Sequence, residues 1–233
     1  MKKCAIMQPT YLPWSGYFNL IYNVDVFIFL DDAQYSKGNW HNRNRILNKS
    51  KETWITIPVK KHKLNSHINE INFDSEKDWK KQHINLIKEC YYKHPFYGDV
   101  EEILTLLKSL QHNILSELNK DLIKFICQKL SFKTLFYKSS DFKIIKKKRT
   151  DKIINLLENF KITHYISPQG SRDYLLEDNF LGKTNINLEF NNYISNEYFQ
   201  NFNRNSFFDK LSFIDVLSNL GWDMTKKYVC SNF

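Results

Sequence analysis

The sequence predicts an α/β protein, a Rossmann-like, mostly parallel sheet in two or three layers with a helical insertion, and two observations carry that prediction. Short apolar runs alternate with segments whose apolar residues recur at helical spacing, which is the rhythm of a layered sheet. The run DVFIFLDD, residues 25–32, has the continuous apolar middle of a strand covered on both faces. With 233 residues, 42% of them hydrophobic, the chain suffices for one domain with a sizeable core.

Seven segments have the length and composition of strands. They are residues 3–8, 25–32, 53–59, 67–73, 133–140, 163–168 and 186–190. The first two, with a helix that begins at Gly16 between them, form a right-handed β-α-β unit, so their carboxyl ends should meet at one edge of the sheet. The third and fourth are expected to pair with each other as a hairpin.

Apolar residues at helical spacing predict the remaining helices. These are residues 75–94, 100–110, 114–130, 150–160 and 211–221. Ser75 is the expected cap of the first and Gly221 the expected end of the last. Residues 75–131 should therefore form a mainly helical insertion within a single domain that spans 1–233.

The charge and the cysteines limit the class of protein. A formal charge of +9, from 34 Lys and Arg against 25 Asp and Glu, favours anionic partners, although abundant Lys, Asn and Ile are also typical of an AT-rich genome. The four cysteines are scattered without metal or disulfide spacing, and apolar runs fall short of the roughly 18 residues of a membrane span. We expect a cytoplasmic protein that has no bound metal and no membrane span and that uses a small anionic substrate, with nucleic acid less favoured.

The strongest candidate site lies at the ends of the first two strands, where open α/β sheets bind ligands. The residues in these loops with functional side chains or special geometry are Gln8, Tyr11, Trp14, Gly16, Asp31, Asp32 and Gln34. Adjacent strand residues point to opposite faces, so at most one aspartate should face the crevice. Gly16 would let an anion approach the start of a helix, or it serves only a tight turn.

The run GNWHNRNRI, residues 38–46, contains amides and cations but no acid. Guanidinium groups match phosphate and carboxylate oxygens, and asparagine amides both donate and accept hydrogen bonds. In an extended chain its polar residues divide into two sides, so only one set should line a site beside Trp40. The sets are Asn42 and Asn44 on one side, and His41, Arg43 and Arg45 on the other. A solvated loop is the alternative.

The segment YISPQGSRDYL, residues 165–175, repeats the pattern of a strand followed by a proline-containing loop. Gln169 and Ser171 would complete the strand-end crevice, although Ser171 also suits a helix cap. The sequence lacks the GxSxG, Walker and GxGxxG motifs and any HExxH histidine pair. The hydrolase, P-loop, dinucleotide-binding and metalloprotease classes that these motifs mark are therefore less favoured as functions of this protein.

Four blocks together resemble the WbqC-like protein family, in the same order and across nearly the whole chain. They are AIMQPTYLPWSGYF, DVFIFLDDAQYSKGNWHNRNRI, YISPQGSRDYL and LSFIDVLSNLG. The resemblance implies a role in making precursors of O-antigen and other surface glycans, although many members have His at the position of Met7. A fainter likeness is to nucleotidyltransferases of the HIGH-type fold. In this chain Tyr17 and Phe18 stand where those enzymes have phosphate-binding histidines.

This glycan context and the site chemistry predict a transferase that forms an amide, moving an acyl or aminoacyl group to the nitrogen of an amino sugar, notably a nucleotide-linked one. In this hypothesis Asp31 or Asp32 takes the proton and Gln8 stabilises the oxyanion, while Arg43 and Arg45 hold the anionic part of the substrate. Two alternatives stay open. One is a nucleotide-dependent ligase or nucleotidyltransferase with Mg²⁺ at Asp32, the only case that implies a cofactor; the other is a carbohydrate or nucleic-acid binding module.

Overall fold

The computed structural model describes residues 1–74, 76–142, 149–200 and 207–231. The strands in these ranges are β1 (Lys3–Met7), β2 (Val26–Phe29), β3 (Arg43–Asn48), β4 (Lys51–Thr56), β5 (Leu135–Lys138), β6 (His164–Ser167) and β7 (Asn187–Phe190). The helices are α1 (Ser15–Tyr22), α2 (Trp79–Tyr91), α3 (Tyr97–Ser109), α4 (Leu115–Lys129), α5 (Arg149–Asn159), α6 (Arg172–Glu177), α7 (Phe180–Lys183) and α8 (Phe213–Cys230). None of the described helices is both long and apolar enough to cross a bilayer.

Five strands form one parallel sheet in the order β5-β2-β1-β6-β7. Numbered by chain order within that sheet, the strands follow the 3-2-1-4-5 order of a Rossmann-like fold, which confirms the predicted class. The chain builds outward from β1 on one side and then crosses to place β6 on the other. The carboxyl ends of β1 and β6 are thus the switch point at which such sheets bind ligands.

Helices cover both faces of the sheet, which makes the fold three-layered. Ala5 of β1 points into the larger core cluster together with Phe18 of α1 and Ile214 of α8. Its neighbour Ile6 points into a second cluster, which contains Ile154 of α5. Because successive side chains of a strand alternate between faces, a doubly covered strand must be apolar at successive positions, as β2 is throughout and β1 is from Cys4 to Met7.

The predicted pairing of 53–59 with 67–73 is limited to one antiparallel bridge, between Val59 and Phe73. The partner of β4 is β3, and the two pair antiparallel from Arg43 opposite Thr56 to Asn48 opposite Lys51. Lys49 and Ser50 connect them with φ angles of 46° and 63°, the geometry of a two-residue type I′ turn. Such turns usually carry Asn-Gly, so the Lys-Ser pair did not indicate a turn in the sequence. Residues 68–70, which were predicted to be part of a strand, form a short 3-10 turn.

One helix cap differs from expectation, and helical structure continues beyond one predicted end. The cap of α2 is Asp78, whose carboxylate accepts from the backbone N of Lys81, and Ser75 lies outside the described residues. The helix that begins at Phe213 does end at Gly221, as predicted, but a second helical stretch follows it directly. That residue interrupts the helix with φ 67° and ψ 173°, and helical geometry resumes as far as Cys230. A side chain at Gly221 would also collide with the ring of Phe96, so the bend requires glycine there.

Candidate functional site

The first aspartate after β2 is buried in an ion pair. Asp31 is 1% exposed, and its carboxylate accepts from Lys120 Nζ of α4 at 2.9 Å and from Ser140 N and Oγ at 3.1 and 3.0 Å. Burial alone would raise the pKa of Asp31, but the hydrogen bond and charge of Lys120, helped by Ser140, outweigh burial and lower the pKa. A substrate would reach this carboxylate only if the ion pair opened, so Asp31 holds its loop in position.

Asp32 turns to the opposite side of the sheet. Its carboxylate contacts Lys152 Nζ of α5 at 2.6 Å and accepts a hydrogen bond from Ser139 Oγ at the end of β5. The side chain of Asp32 is 23% exposed. The two aspartates therefore pair with different helices, yet their carboxylates stay close, because Ser139 Oγ also lies 3.3 Å from Asp31 Oδ1. Both residues belong to the turn after β2, and solvent reaches Asp32.

Helix α4 supplies polar side chains that were absent from the sequence prediction. Ser116, Asn119 and Lys120 are all buried. Asn119 Nδ2 donates to the backbone oxygens of Pro9 at 3.2 Å and His41 at 2.7 Å, so one amide joins the loops after β1 and β2. The sequence did contain a sign of this arrangement, because the three residues are spaced at i, i+3 and i+4. On a helix that spacing places them on one side, which here is the side facing the core.

Gln8 and His41 meet between these loops, with Gln8 Oε1 3.4 Å from His41 Nε2. The imidazole is 1% exposed, and burial lowers the pKa of His41 to about 4, so the ring is neutral at neutral pH. With Nε2 donating to the amide oxygen, the proton lies on Nε2. His41 Nδ1 is then a buried acceptor that has no hydrogen-bond partner in the described structure.

Asn42 and Asn44 face inward and fasten the loops, whereas Asn39 is exposed. Asn42 Nδ2 donates to Ile57 O at 2.8 Å. Asn44 Nδ2 donates to Tyr11 O at 3.1 Å and to Leu12 O at 2.6 Å, the backbone of the loop after β1. These amides therefore shape the site by holding its backbone.

The arginines face the other way, onto two exposed tryptophan rings that lie 5.3 Å apart. The guanidinium of Arg43 is 4.2 Å from the ring centre of Trp54, and that of Arg45 is 5.5 Å from the ring centre of Trp40. Glu52 contacts Arg45 Nη1 through both carboxylate oxygens, at 2.7 and 2.8 Å. The predicted division into two sides is present for the asparagines and arginines, while His41 precedes the strand and is buried apart from the arginines.

A pocket of about 320 Å³ opens at the carboxyl end of β1, between the loop after β1 and the β3–β4 hairpin. We call it the tryptophan pocket. Its lining residues are Met7, Thr10, Pro13, Trp14, Tyr17, Trp40, Asn44, Arg45 and Lys210. Lys210 Nζ lies 5.9 Å from the centre of the Trp14 ring and was missed because no other cation accompanies it in the sequence, just before the LSFIDVLSNLG block. Rings and cations thus share a space of the size that small ligands use, about 300–1,000 Å³.

Tyr11 and Gly16 have packing roles in the structure. Tyr11 is fully buried, with its hydroxyl 3.0 Å from His83 Nδ1. A side chain at Gly16 would collide with the indole of Trp14, so this glycine makes room for a wall of the tryptophan pocket. That contact explains Gly16 without a bound phosphate.

The other predicted residues lie outside the lining of the tryptophan pocket. Gln34 is exposed and its amide approaches Leu64 O at 3.4 Å. Gln169 follows β6 at the same edge of the sheet, and its amide donates to Asn191 O at 3.1 Å. Ser171 occupies the first position before α6 without making a side-chain cap. Among the described residues no group of three or more His, Cys, Asp or Glu side chains is placed to hold a metal.

Comparison with known proteins places the chain in a family. It is 37% identical over 179 residues to the "Uncharacterized protein Rv1507c" of Mycobacterium tuberculosis (strain ATCC 25618 / H37Rv), a match that covers 76% of this chain and 77% of the relative. No solved structure matches the chain. The profile of the WbqC-like protein family matches residues 8–227. The chain therefore belongs to the WbqC-like protein family.

Proposed function

We propose that this protein is a transferase of glycan-precursor synthesis and that the tryptophan pocket binds its anionic sugar substrate, a nucleotide-linked amino sugar. The observation that carries the proposal is the meeting of Trp14 and Trp40 with Arg45 and Lys210 in one pocket at the carboxyl end of β1. Flat rings suit the apolar face of a sugar, while the cations attract the phosphates. Lys210 is the more available cation, because Glu52 pairs with Arg45 at 2.7 Å, whereas Asp209 lies 3.8 Å from Lys210 Nζ.

The proposed reaction joins an acyl or aminoacyl group to the sugar nitrogen. The amine attacks the acyl carbonyl, a base takes the N–H proton, and the carbonyl oxygen carries negative charge until the donor's leaving group departs. Support for amide chemistry comes from the glycan context that the family resemblance implies and from the side chains at the strand ends.

Asp32 and Gln8 are the residues we assign to these two tasks. Met7 pairs with Phe29, so Gln8 emerges beside Leu30, two residues before Asp32. Asp32 is the solvent-reached carboxylate and would accept the proton. The Gln8 amide would donate to the oxyanion. Asp31, enclosed with Lys120, would hold the Asp32 loop instead of acting as the base.

Titration of the protein with UDP-glucosamine tests the binding part of the proposal. We expect binding to the wild type and a loss of about tenfold in affinity for Lys210→Gln, because a charge-assisted contact to phosphate is removed. Lys88→Gln, an exposed lysine of α2, is the matched control and should bind as the wild type does. Absence of binding at millimolar ligand, or equal weakening by both variants, would count against the tryptophan pocket.

A further inference from the structure

A second and larger concavity of about 510 Å³ lies beside Arg43. We call it the basic groove. The cationic or titratable side chains that line it are Lys37, Arg43, Lys60, Lys61, His62 and Lys77. No acidic residue is found among the described residues of its lining. Like charges that converge on one concavity repel one another, so a ligand with several negative charges would lower the electrostatic free energy of the groove.

Lys77 of the groove has a carboxylate 4.0 Å away, that of Asp74, whereas the charge of Arg43 is left without compensation, as a comparison of the two arginines of β3 shows. Both guanidinium groups lie near the ring of Trp54. Arg45 is neutralised by Glu52, whereas no described carboxylate forms an ion pair with Arg43. Of these two positions on the same side of one strand, the unneutralised guanidinium is the one that lines the basic groove together with its other cations.

The guanidinium of Arg43 is also held in place before any ligand arrives. It lies over the Trp54 ring at 4.2 Å, and its Nη2 would be 3.6 Å from a side-chain carbon at Gly38. Gly38 has φ 79°, a conformation that favours glycine, so the turn keeps its backbone close to the guanidinium. A fixed guanidinium fork suits two oxygens of a phosphate group, and less side-chain entropy is lost when it binds.

We propose that the basic groove binds the diphosphate or triphosphate group of a small soluble ligand, as an anion site separate from the tryptophan pocket. This inference goes beyond the proposed transfer reaction and does not depend on it. The volume fits a small ligand rather than an extended strand. Asn42 belongs to the same wall and is itself fixed, because its Nδ2 donates to Ile57 O at 2.8 Å.

Calorimetric titration of the full chain with inorganic tripolyphosphate at low ionic strength tests the proposal. We expect Arg43→Gln to weaken binding about tenfold or more, since a bidentate charge-assisted contact is lost. The double variant Lys60→Gln/Lys61→Gln, at exposed positions, should also weaken it and keeps the test informative if Arg43→Gln folds poorly. The matched control is Arg172→Gln, because that guanidinium also lies over an aromatic ring, that of Phe190 at 4.7 Å, outside the groove.

Four results would overturn the assignment. The first is no binding of tripolyphosphate at millimolar concentration, and the second is the same affinity in all variants. The third is weakening by Lys210→Gln in place of Arg43→Gln, which would place the anion in the tryptophan pocket. The fourth is a short single-stranded oligonucleotide that binds the groove and is not displaced by tripolyphosphate, which would make this a surface for nucleic acid.

Discussion

The charge cluster, which is Asp31 paired with Lys120 of α4, and the tryptophan pocket both use residues of the loops after β1 and β2. They differ in how far their charged groups are exposed to solvent. Asp31 and Lys120 are each 1% exposed and satisfy one another. In the tryptophan pocket, Lys210 borders an open space and contacts the face of an indole. A polar constellation in a sequence therefore predicts a ligand site only where its charged groups stay within reach of solvent, as Arg45 and Lys210 do although Glu52 and Asp209 lie beside them. The cluster stabilises the fold, and the pocket is left for a ligand.

The largest expected effect is on stability, from breaking the charge cluster. Lys120→Met should lower the free energy of unfolding by about 3–5 kcal/mol, because it leaves the buried Asp31 carboxylate without its cation. Urea unfolding monitored by circular dichroism measures this change. Lys124→Met, at an exposed position of the same helix, is the control and should stay within about 0.5 kcal/mol of the wild type.

The double variant Asp31→Leu/Lys120→Met sharpens that result. Replacing both charges removes the unpaired carboxylate, so this variant should recover part of the lost stability. A loss below about 1 kcal/mol in Lys120→Met would contradict a locked cluster, since exposed ion pairs contribute that little.

A smaller effect should come from His41, which lies between the two regions. Its folded-state pKa of about 4 is below that of an unfolded histidine, about 6.5, so the unfolded chain binds more protons between these values. This contribution to stability is present above about pH 6.5 and is lost as the pH falls towards 4, amounting to about 2 kcal/mol by pH 5.

Unfolding free energies of wild type and His41→Gln at pH 7 and pH 5 measure the contribution of His41. The variant should lose less stability between the two pH values than the wild type does. Equal losses would show that the imidazole is not held neutral. His83 and His94 are buried with similarly lowered pKa values and remain in both proteins, so the comparison isolates His41.

The sheet was predictable from the sequence because burial on both faces demands continuous apolar runs, which residues 25–32 show plainly. The β3–β4 hairpin was not, because Lys49 and Ser50 adopt left-handed conformations usually taken by Gly or Asn. The carboxyl-edge location of the candidate residues followed from parallel topology. Their pairing did not, because Lys120 comes from a helix 89 positions along the chain from Asp31, and no local pattern connects the two.

Lys210 shows the same limit for the tryptophan pocket. The aromatic and cationic composition of the loop after β1 and of residues 38–46 indicated a site in the sequence. Four of their residues do line the tryptophan pocket: Trp14, Trp40, Asn44 and Arg45. An isolated lysine in a polar segment carries no such signal. Only the folded chain brings it to the Trp14 ring.

The central claim is that the tryptophan pocket binds the anionic sugar while the strand-end carboxylate serves the chemistry. The most direct test is the affinity for UDP-glucosamine of Trp14→Leu beside that of Asp32→Asn, with thermal unfolding as a check that both variants are folded. We predict that Trp14→Leu loses about tenfold or more in affinity, since a stacking wall is removed, and that Asp32→Asn binds as the wild type does. Unchanged affinity in Trp14→Leu together with lost affinity in Asp32→Asn would contradict the claim.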